Sequence, residues 1–285
     1  KSIYLPDNLE FNDTLIGESR SKIIIIENNS DDNASLTFTA DGDDSFSYDA
    51  SKCTFIFANN SCDLMITYSP SDTRISHKSI TVSSDWPTLT VRQLSLLGLP
   101  LMDATGIATA AAFQLENIAW FTGGYAPWQL NQANNSLQSG DIADNEKSLL
   151  HGQVTGSGKL SFDWATQSEN GFDKLFLTVN GVIYSSISGA ADFNTQNIYL
   201  DKMVNEVVWS YEKNATVSIL ADRAYVANVT FDEMTKDEFD LWVEQSRVTT
   251  NHSGGGAMGW LSFLLLAVLF RRRFYKKDNI TPDTL

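Results

Sequence analysis

Apolar and polar residues alternate with period two along most of this chain. Ile23–Ile26, Ser35–Thr39, Thr54–Phe57, Leu64–Tyr68 and Lys78–Val82 read as strands. Asn28–Asp32 and Asp41–Asp44 read as the turns between them. A second series follows: Phe113–Ala119, Ser148–Val154, Lys159–Trp164, Lys174–Val179, Val182–Ile187, Glu206–Tyr211, Ala215–Leu220 and Ala224–Phe231. Asn180-Gly181 between two alternating runs is the strongest hairpin signal in the chain, because a two-residue type I′ turn needs positive φ at both positions. The pattern predicts an all-β protein of two tandem β-sandwiches. The first, an Ig-like sandwich, covers 1–101; the second, a jelly roll, covers 102–240. Over Phe231–Val248 the chain is acidic, and Phe239, Trp242 and Val243 recur at helical spacing, which fits a short helix or a stalk. A polar linker over 241–256 then separates the sandwiches from a last apolar segment, 257–285.

That segment changes the picture most. Gly254, Gly255 and Gly256 precede an apolar run, Ala257–Phe270, closed by Arg271, Arg272, Arg273, Lys276 and Lys277. At 1.5 Å per residue such a helix spans only ~21 Å, short of the ~30 Å hydrocarbon core. Its basic end orients toward the cytoplasm, leaving the body outside the inner membrane. The glycines make a backbone that a membrane protease can unwind. A short permanent anchor is the alternative.

The tail resembles the GlyGly-CTERM sorting signal of Gram-negative bacteria in the order and position of its glycines, its apolar helix (Trp260, Leu264 and Phe270 within or ending it) and its arginines. The polar addition Asp278–Leu285 departs from that pattern. The resemblance implies cleavage near Gly254–Gly256 by a rhomboid-type sorting protease (a rhombosortase). It also implies membrane contact through the tail before processing, export by the type II secretion machinery, and display at the cell surface or release. The chain opens on Lys1 in strand-like sequence without a charged and apolar leader, which fits the C-terminal piece of a longer product; a removed leader is the other reading.

Cys53 and Cys62 flank Thr54–Phe57 and the turn Asn59-Asn60-Ser61, so they can meet across or beside a hairpin. In an exported protein a disulfide is expected. With Phe46-Ser47-Tyr48 and Cys62–Ser71, the first block resembles the choice-of-anchor D, or hydin-like, Ig-type module, with Tyr68 where that family has Phe. The resemblance implies a spacer or protein-contact role. The second block is similar to MAM-like or lectin-like jelly rolls of secreted bacterial proteins. It shares Ser139-Gly140-Asp141, Gly158–Trp164, Ser168-Glu169 with Asp173, Trp209-x-Tyr211 and Tyr225–Phe231. Such modules sit C-terminal to trypsin-like proteases and other exported hydrolases.

Composition sets limits. The 285 residues are 42% hydrophobic and carry a net charge of −15, which excludes full-length disorder and argues against nucleic acid as a partner. The tail holds five bases and two acids, leaving 15 bases against 33 acids in the body. An acidic surface draws divalent cations, and Asp141, Asp163, Glu169, Asp173 and Asn228 form a candidate structural calcium set. The resemblance weakens it, since Ala227 stands where related last strands carry Asp. No other cofactor is expected.

Catalytic signatures are absent. The histidines are His77, His151 and His252, and no Gly-x-Ser-x-Gly, Gly-Asp-Ser-Gly or His-Glu-x-x-His occurs. Trp120 and Trp128 read either as exposed platforms for a sugar ring or as edge-loop core, while Trp164 and Trp209 read as core. Three functions remain: the non-catalytic C-terminal region of an exported protein, most of all a trypsin-like serine protease; a stand-alone adhesin for protein or glycan; and a hydrolase using Asp163, Glu169 and Asp173.

Overall fold

The computed structural model describes residues 2–86, 91–215 and 220–250. Its first part holds β1 (Ile3–Tyr4), β2 (Asn8–Leu15), β3 (Arg20–Asn28), β4 (Ala34–Gly42), β5 (Phe46–Asp49), β6 (Phe55–Ile56), β7 (Asn60–Tyr68), β8 (Ser76–Ser84) and β9 (Arg92–Asp103). After α1 (Thr105–Ala110) come β10 (Ile118–Gly124), β11 (Gln129–Asn131), β12 (Ser136–Gln138), β13 (Lys147–Thr155) and β14 (Gly158–Gln167). Then follow β15 (Lys174–Val179), β16 (Val182–Ser188), β17 (Ala190–Leu200), β18 (Val204–Glu212), β19 (Arg223–Glu233) and α2 (Lys236–Thr250).

The expected all-β sandwich architecture is present. A sheet ordered β1-β3-β7-β5 packs on β2, β9, β8, β4 and β6. Their inward residues share one core, with Ile24, Ile26, Leu64 and Ile66 from one sheet and Leu36, Ile80, Val82 and Leu94 from the other. Alternation does the sorting: within the Ile23–Ile26 run, Ile24 and Ile26 are buried while Ile23 and Ile25 face outward. The second sandwich packs β16-β15-β18-β13-β10 on β11-β12-β19-β14-β17. Trp120, Trp209, Leu150 and Leu177 meet Phe162, Trp164, Val226 and Phe231 across its core.

β9 joins the two. One edge pairs in parallel with β2 over Ser95–Leu101. The other edge pairs first with β8, over Arg92–Gly98, and then with β10, over Leu101–Asp103. The expected boundary at 101/102 therefore falls inside a single strand. β13 reinforces the joint. Its core-facing Leu150 alternates with Lys147 and His151, which turn toward β2. Lys147 Nζ lies 2.9 Å from a Glu10 carboxylate oxygen.

Several elements differ from expectation. The strand expected at Phe113–Ala119 begins only at Ile118, because Ala112 and Asn117 adopt positive φ and turn the chain. The eleven-residue β17 had no counterpart among the expected strands. Part of the strand expected at Ala215–Leu220 lies outside the described residues. The Asn180-Gly181 turn is as expected, with φ of 52° and 82° and Val179 opposite Val182. α2 makes the first ten positions of the expected 241–256 linker helical, with Asp237 and Glu238 in its first turn, where acids complement the helix dipole. Both sandwiches belong to one compact unit, Lys1–Lys236, and α2 to the other, where the Phe239 and Trp242 rings stack at 5.8 Å.

Candidate functional site

Cys53 and Cys62 form a disulfide, with Cα atoms 5.3 Å apart. Cys53 is fully buried at the edge of the first core, so the bridge fastens the β5–β7 connection to it.

Trp120 and Trp128 are not exposed platforms: they are 1% and 2% accessible. Trp120 stacks on Trp209 at 5.9 Å and donates its indole N–H to Gln114 O. The Trp128 loop is pinned from inside, since Thr122 Oγ1 accepts the Trp128 amide at 2.7 Å and donates to Leu149 O. Trp164 and Trp209 are core, as expected.

The calcium set does not assemble. Among the described residues no group of three or more His, Cys, Asp or Glu is arranged to hold a metal ion. Asp141 instead accepts from the Arg223 guanidinium at 3.0 Å, which holds its carboxyl below the usual range. Asp173 is fully buried; its Oδ1 accepts the Asn214 amide, and its backbone carbonyl accepts the Ser168 hydroxyl. Burial pushes the Asp173 carboxyl up, and the neighbouring Asp222 adds to that. Asp222 itself accepts from Tyr211 Oη and Lys213 Nζ. Asp173 is thus part of an internal tie between loops. Glu169 lies in the turn before β15. Only Asp163 and Asn228 meet, at 2.7 Å.

The hydrolase trio fails on the same geometry, because Asp173 is sealed in while Asp163 faces outward beside Asn228. No histidine rescues it. His151 is buried and faces the joint, its pKa pushed down to about 4 by burial, so it is neutral in the folded protein. His77 sits on β8, where its backbone amide donates to Asp43. His252 lies outside the described residues. So do Gly254, Gly255, Gly256, Trp260, Leu264, Phe270, Arg271, Arg272 and Arg273. No helix among the described residues is long and apolar enough to cross a membrane.

The outer face of the five-stranded sheet gathers aromatic and polar side chains on adjacent strands. Ile198 and Phe162 point into the core, so period two turns Phe193, Thr195 and Asn197 of β17 and Ser161, Asp163 and Ala165 of β14 outward. β19 adds Tyr225, Asn228 and Thr230. A bulge between Ser161 and Asp163 in the β14–β19 pairing leaves Asn228 at φ 52°, its side chain outside the sheet. Asp163 accepts from Thr195 Oγ1 at 2.5 Å and from Asn228 Nδ2 at 2.7 Å. The Phe193 and Tyr225 rings lie 6.2 Å apart at 60°. They wall a depression of ≈180 Å³ over Ala165, Ala190 and Ala191, with Asn134, Gln167 and Asp192 at its rim. Phe193, Thr195 and Tyr225 are not among the contacts that the sequence motifs mark. The outward register Phe193-x-Thr195-x-Asn197-x-Tyr199 is the signal that finds them.

No family model and no curated protein matches the chain. Among solved structures, it is similar to the secreted serine protease VesC from Vibrio cholerae at 16% identity, over 81% of this chain and 50% of that one, with a TM-score of 0.48. It is similar to the ASH/PapD-like domain of human CEP192 at 12% identity, over 34% of this chain and 82% of that one, with a TM-score of 0.28. The E. coli chaperone DraB matches at 13% identity, over 82% of this chain and 97% of that one, with a TM-score of 0.28. This chain spans half the length of the VesC chain.

Proposed function

We propose that this chain is the non-catalytic C-terminal region of an exported, surface-displayed protein, attached to a trypsin-like serine protease domain that its two sandwiches space and dock. The observation that carries the reading is the joint, where β9 pairs with strands of both sandwiches; beside it, Asp173 is buried while Asp163 faces outward, and His151 is sealed and neutral. The joint supports a spacer. A strand shared by both sandwiches and the Glu10–Lys147 pair make the two β-layers one stiff body rather than beads on a linker. The disulfide supports an oxidising compartment outside the cytoplasm. The protease and the sorting tail come into this reading from the resemblances of the second block and of residues 254–277. In it, a rhomboid-type protease cleaves near Gly254–Gly256 after inner-membrane transit in a Gram-negative cell, and type II secretion delivers the product.

A stand-alone surface adhesin is the second reading, favoured by the aromatic depression on the outer sheet face. Intact mass and terminal peptides of the native product separate the two. The expected result is a mass well above 31.6 kDa with a C-terminus among Gly254–Gly256. A product starting near Lys1 and still carrying Arg271–Arg273 overturns the first reading.

A further inference from the structure

A pyranose ring offers two chemistries at once: an apolar C–H face and a girdle of hydroxyls. A protein surface that recognises one needs an exposed aromatic ring beside fixed, planar polar groups. The outer face of the β11-β12-β19-β14-β17 sheet brings these together. Phe193 is 42% exposed and tilted against Tyr225, so the two rings form a corner rather than a flat patch. The ≈180 Å³ they enclose suits a single ring, below the ~300 Å³ at which drug-sized sites begin. One strand pair further along the same face, Thr195 and Asn228 clamp Asp163.

That clamp orients the carboxylate before any ligand arrives. Each of its oxygens accepts one internal bond and keeps acceptor capacity for a ligand hydroxyl. The groups sit on sheet rather than loop, so little ordering is lost on binding. Small residues keep the path open: Ala165 lies between the aromatic corner and Asp163 along β14, and Ala227 stands opposite Asp163 on β19. Ser161, Thr230 and Asn197 continue the polar row beyond Asp163.

Charge selects the ligand class. No lysine or arginine lines the depression, whereas Asp192 does, and Asp163 follows on the same face. The one cation near it, Arg223 opposite Gln167 on β19, is already paired with Asp141, so a phosphate, sulfate or uronate group would meet Asp192 and Asp163 without a free counter-charge, and the fit is to an uncharged chain. A protein partner would need a contiguous apolar area, and on this face Asp163, Thr195, Asn197, Asn228 and Thr230 separate the Phe193–Tyr225 corner from Tyr199.

We propose that this face binds a neutral oligosaccharide, one sugar ring stacked in the Phe193–Tyr225 corner and the next hydrogen-bonded by Asp163, Asn228 and Thr195. The site needs no upstream domain, so it stands or falls separately from the spacer reading, while it gives the adhesin reading its ligand class.

The full chain is tested on a printed array of neutral glycans and by titration with soluble cello-, xylo-, malto- and chito-oligosaccharides. The wild type is expected to bind at least one. Phe193→Ala and Tyr225→Ala each weaken that binding by about tenfold, and Asp163→Ala by a similar factor, with unchanged thermal melting because all three side chains face outward. Ile23→Ser, on the far sandwich, leaves binding intact. Binding to no neutral glycan overturns the proposal, as does equal binding by the Phe193→Ala/Tyr225→Ala double variant. A glycan-silent chain whose native form ends among Gly254–Gly256 rejects this site and leaves the spacer reading in place.

Discussion

The first core holds one tryptophan, Trp86, among mainly aliphatic side chains, and the second core holds four. Ile3, Ile24, Ile26, Ile56, Leu64, Ile66 and Ile80 dominate the one core. Four tryptophans, Trp120, Trp128, Trp164 and Trp209, dominate the other, each almost fully buried. The disulfide sits in the aliphatic half. Large rings bury more area per ordered residue, so the second sandwich closes without a covalent staple, whereas the first core is extended by one. The outer faces are opposed as well. On the β1-β3-β7-β5 sheet, Tyr4, Ile23, Ile25 and Met65 are exposed, while the outer face of the five-stranded sheet is polar around one aromatic corner. The same layer architecture therefore leaves each face free to specialise, because alternation uncouples what a strand buries from what it displays.

The sharpest way to break the comparison is to remove an indole. Trp209→Ala should cost about 3–5 kcal/mol, measured by urea unfolding, because it strips the contacts with Trp120 and Phe162 at the centre of the core. A cost below that of losing the disulfide would mean the rings are not the second sandwich's main support.

The joint between the halves gives the next effect. Burial holds His151 near pKa 4, whereas the unfolded chain takes up that proton near 6.5. The unfolded state thus binds more protons between these values. The stabilisation is complete above pH ~6.5 and lost as pH falls toward 4, up to about 3 kcal/mol. Thermal melting followed from pH 7 to 4 should show this slope, and His151→Gln should flatten it.

Opening the disulfide by Cys53→Ser/Cys62→Ser should remove about 2–3 kcal/mol. The loss belongs to the first sandwich, so hydrogen exchange should quicken in β5–β7 and stay slow in β13, β14 and β18. The smallest effect is expected from Glu10→Gln, about 1 kcal/mol or less, because the Lys147 pair is partly solvated. A larger loss would show the two sandwiches to be more tightly coupled than the shared strand alone makes them.

Local signals proved readable where neighbours in sequence decide the outcome. Asn180-Gly181 specified its hairpin, because only residues tolerant of positive φ fit that turn. Cys53 and Cys62 lie close along the chain and pair. Readings that depended on distant strands fared differently. Trp128, which reads either as an exposed platform or as edge-loop core, is core, and packing against the other sheet decides between the two. Asp173 resembles a loop carboxylate, but it is buried, and Asn214, 41 residues away, donates its amide to Oδ1 from within. Asp141 resembles a cation ligand, and Arg223 already supplies the cation. β17 lacks an apolar alternation because the positions paired with Trp164 and Phe162 are exposed Asn194 and half-buried Gln196, and those two aromatic partners supply the apolar layer there.

By itself the sequence determined the all-β class, the two sandwiches, the hairpin and the disulfide, since period two and turn chemistry act over a few residues. Only the tertiary structure decided which tryptophans are buried, which carboxylates are already paired, and that one strand runs through both sandwiches. It also decided that Phe193 and Tyr225, 32 positions apart, meet on one face beside Asp163. Those outcomes depend on strand order and register, which pair residues by their place in the sheet rather than by their distance along the chain.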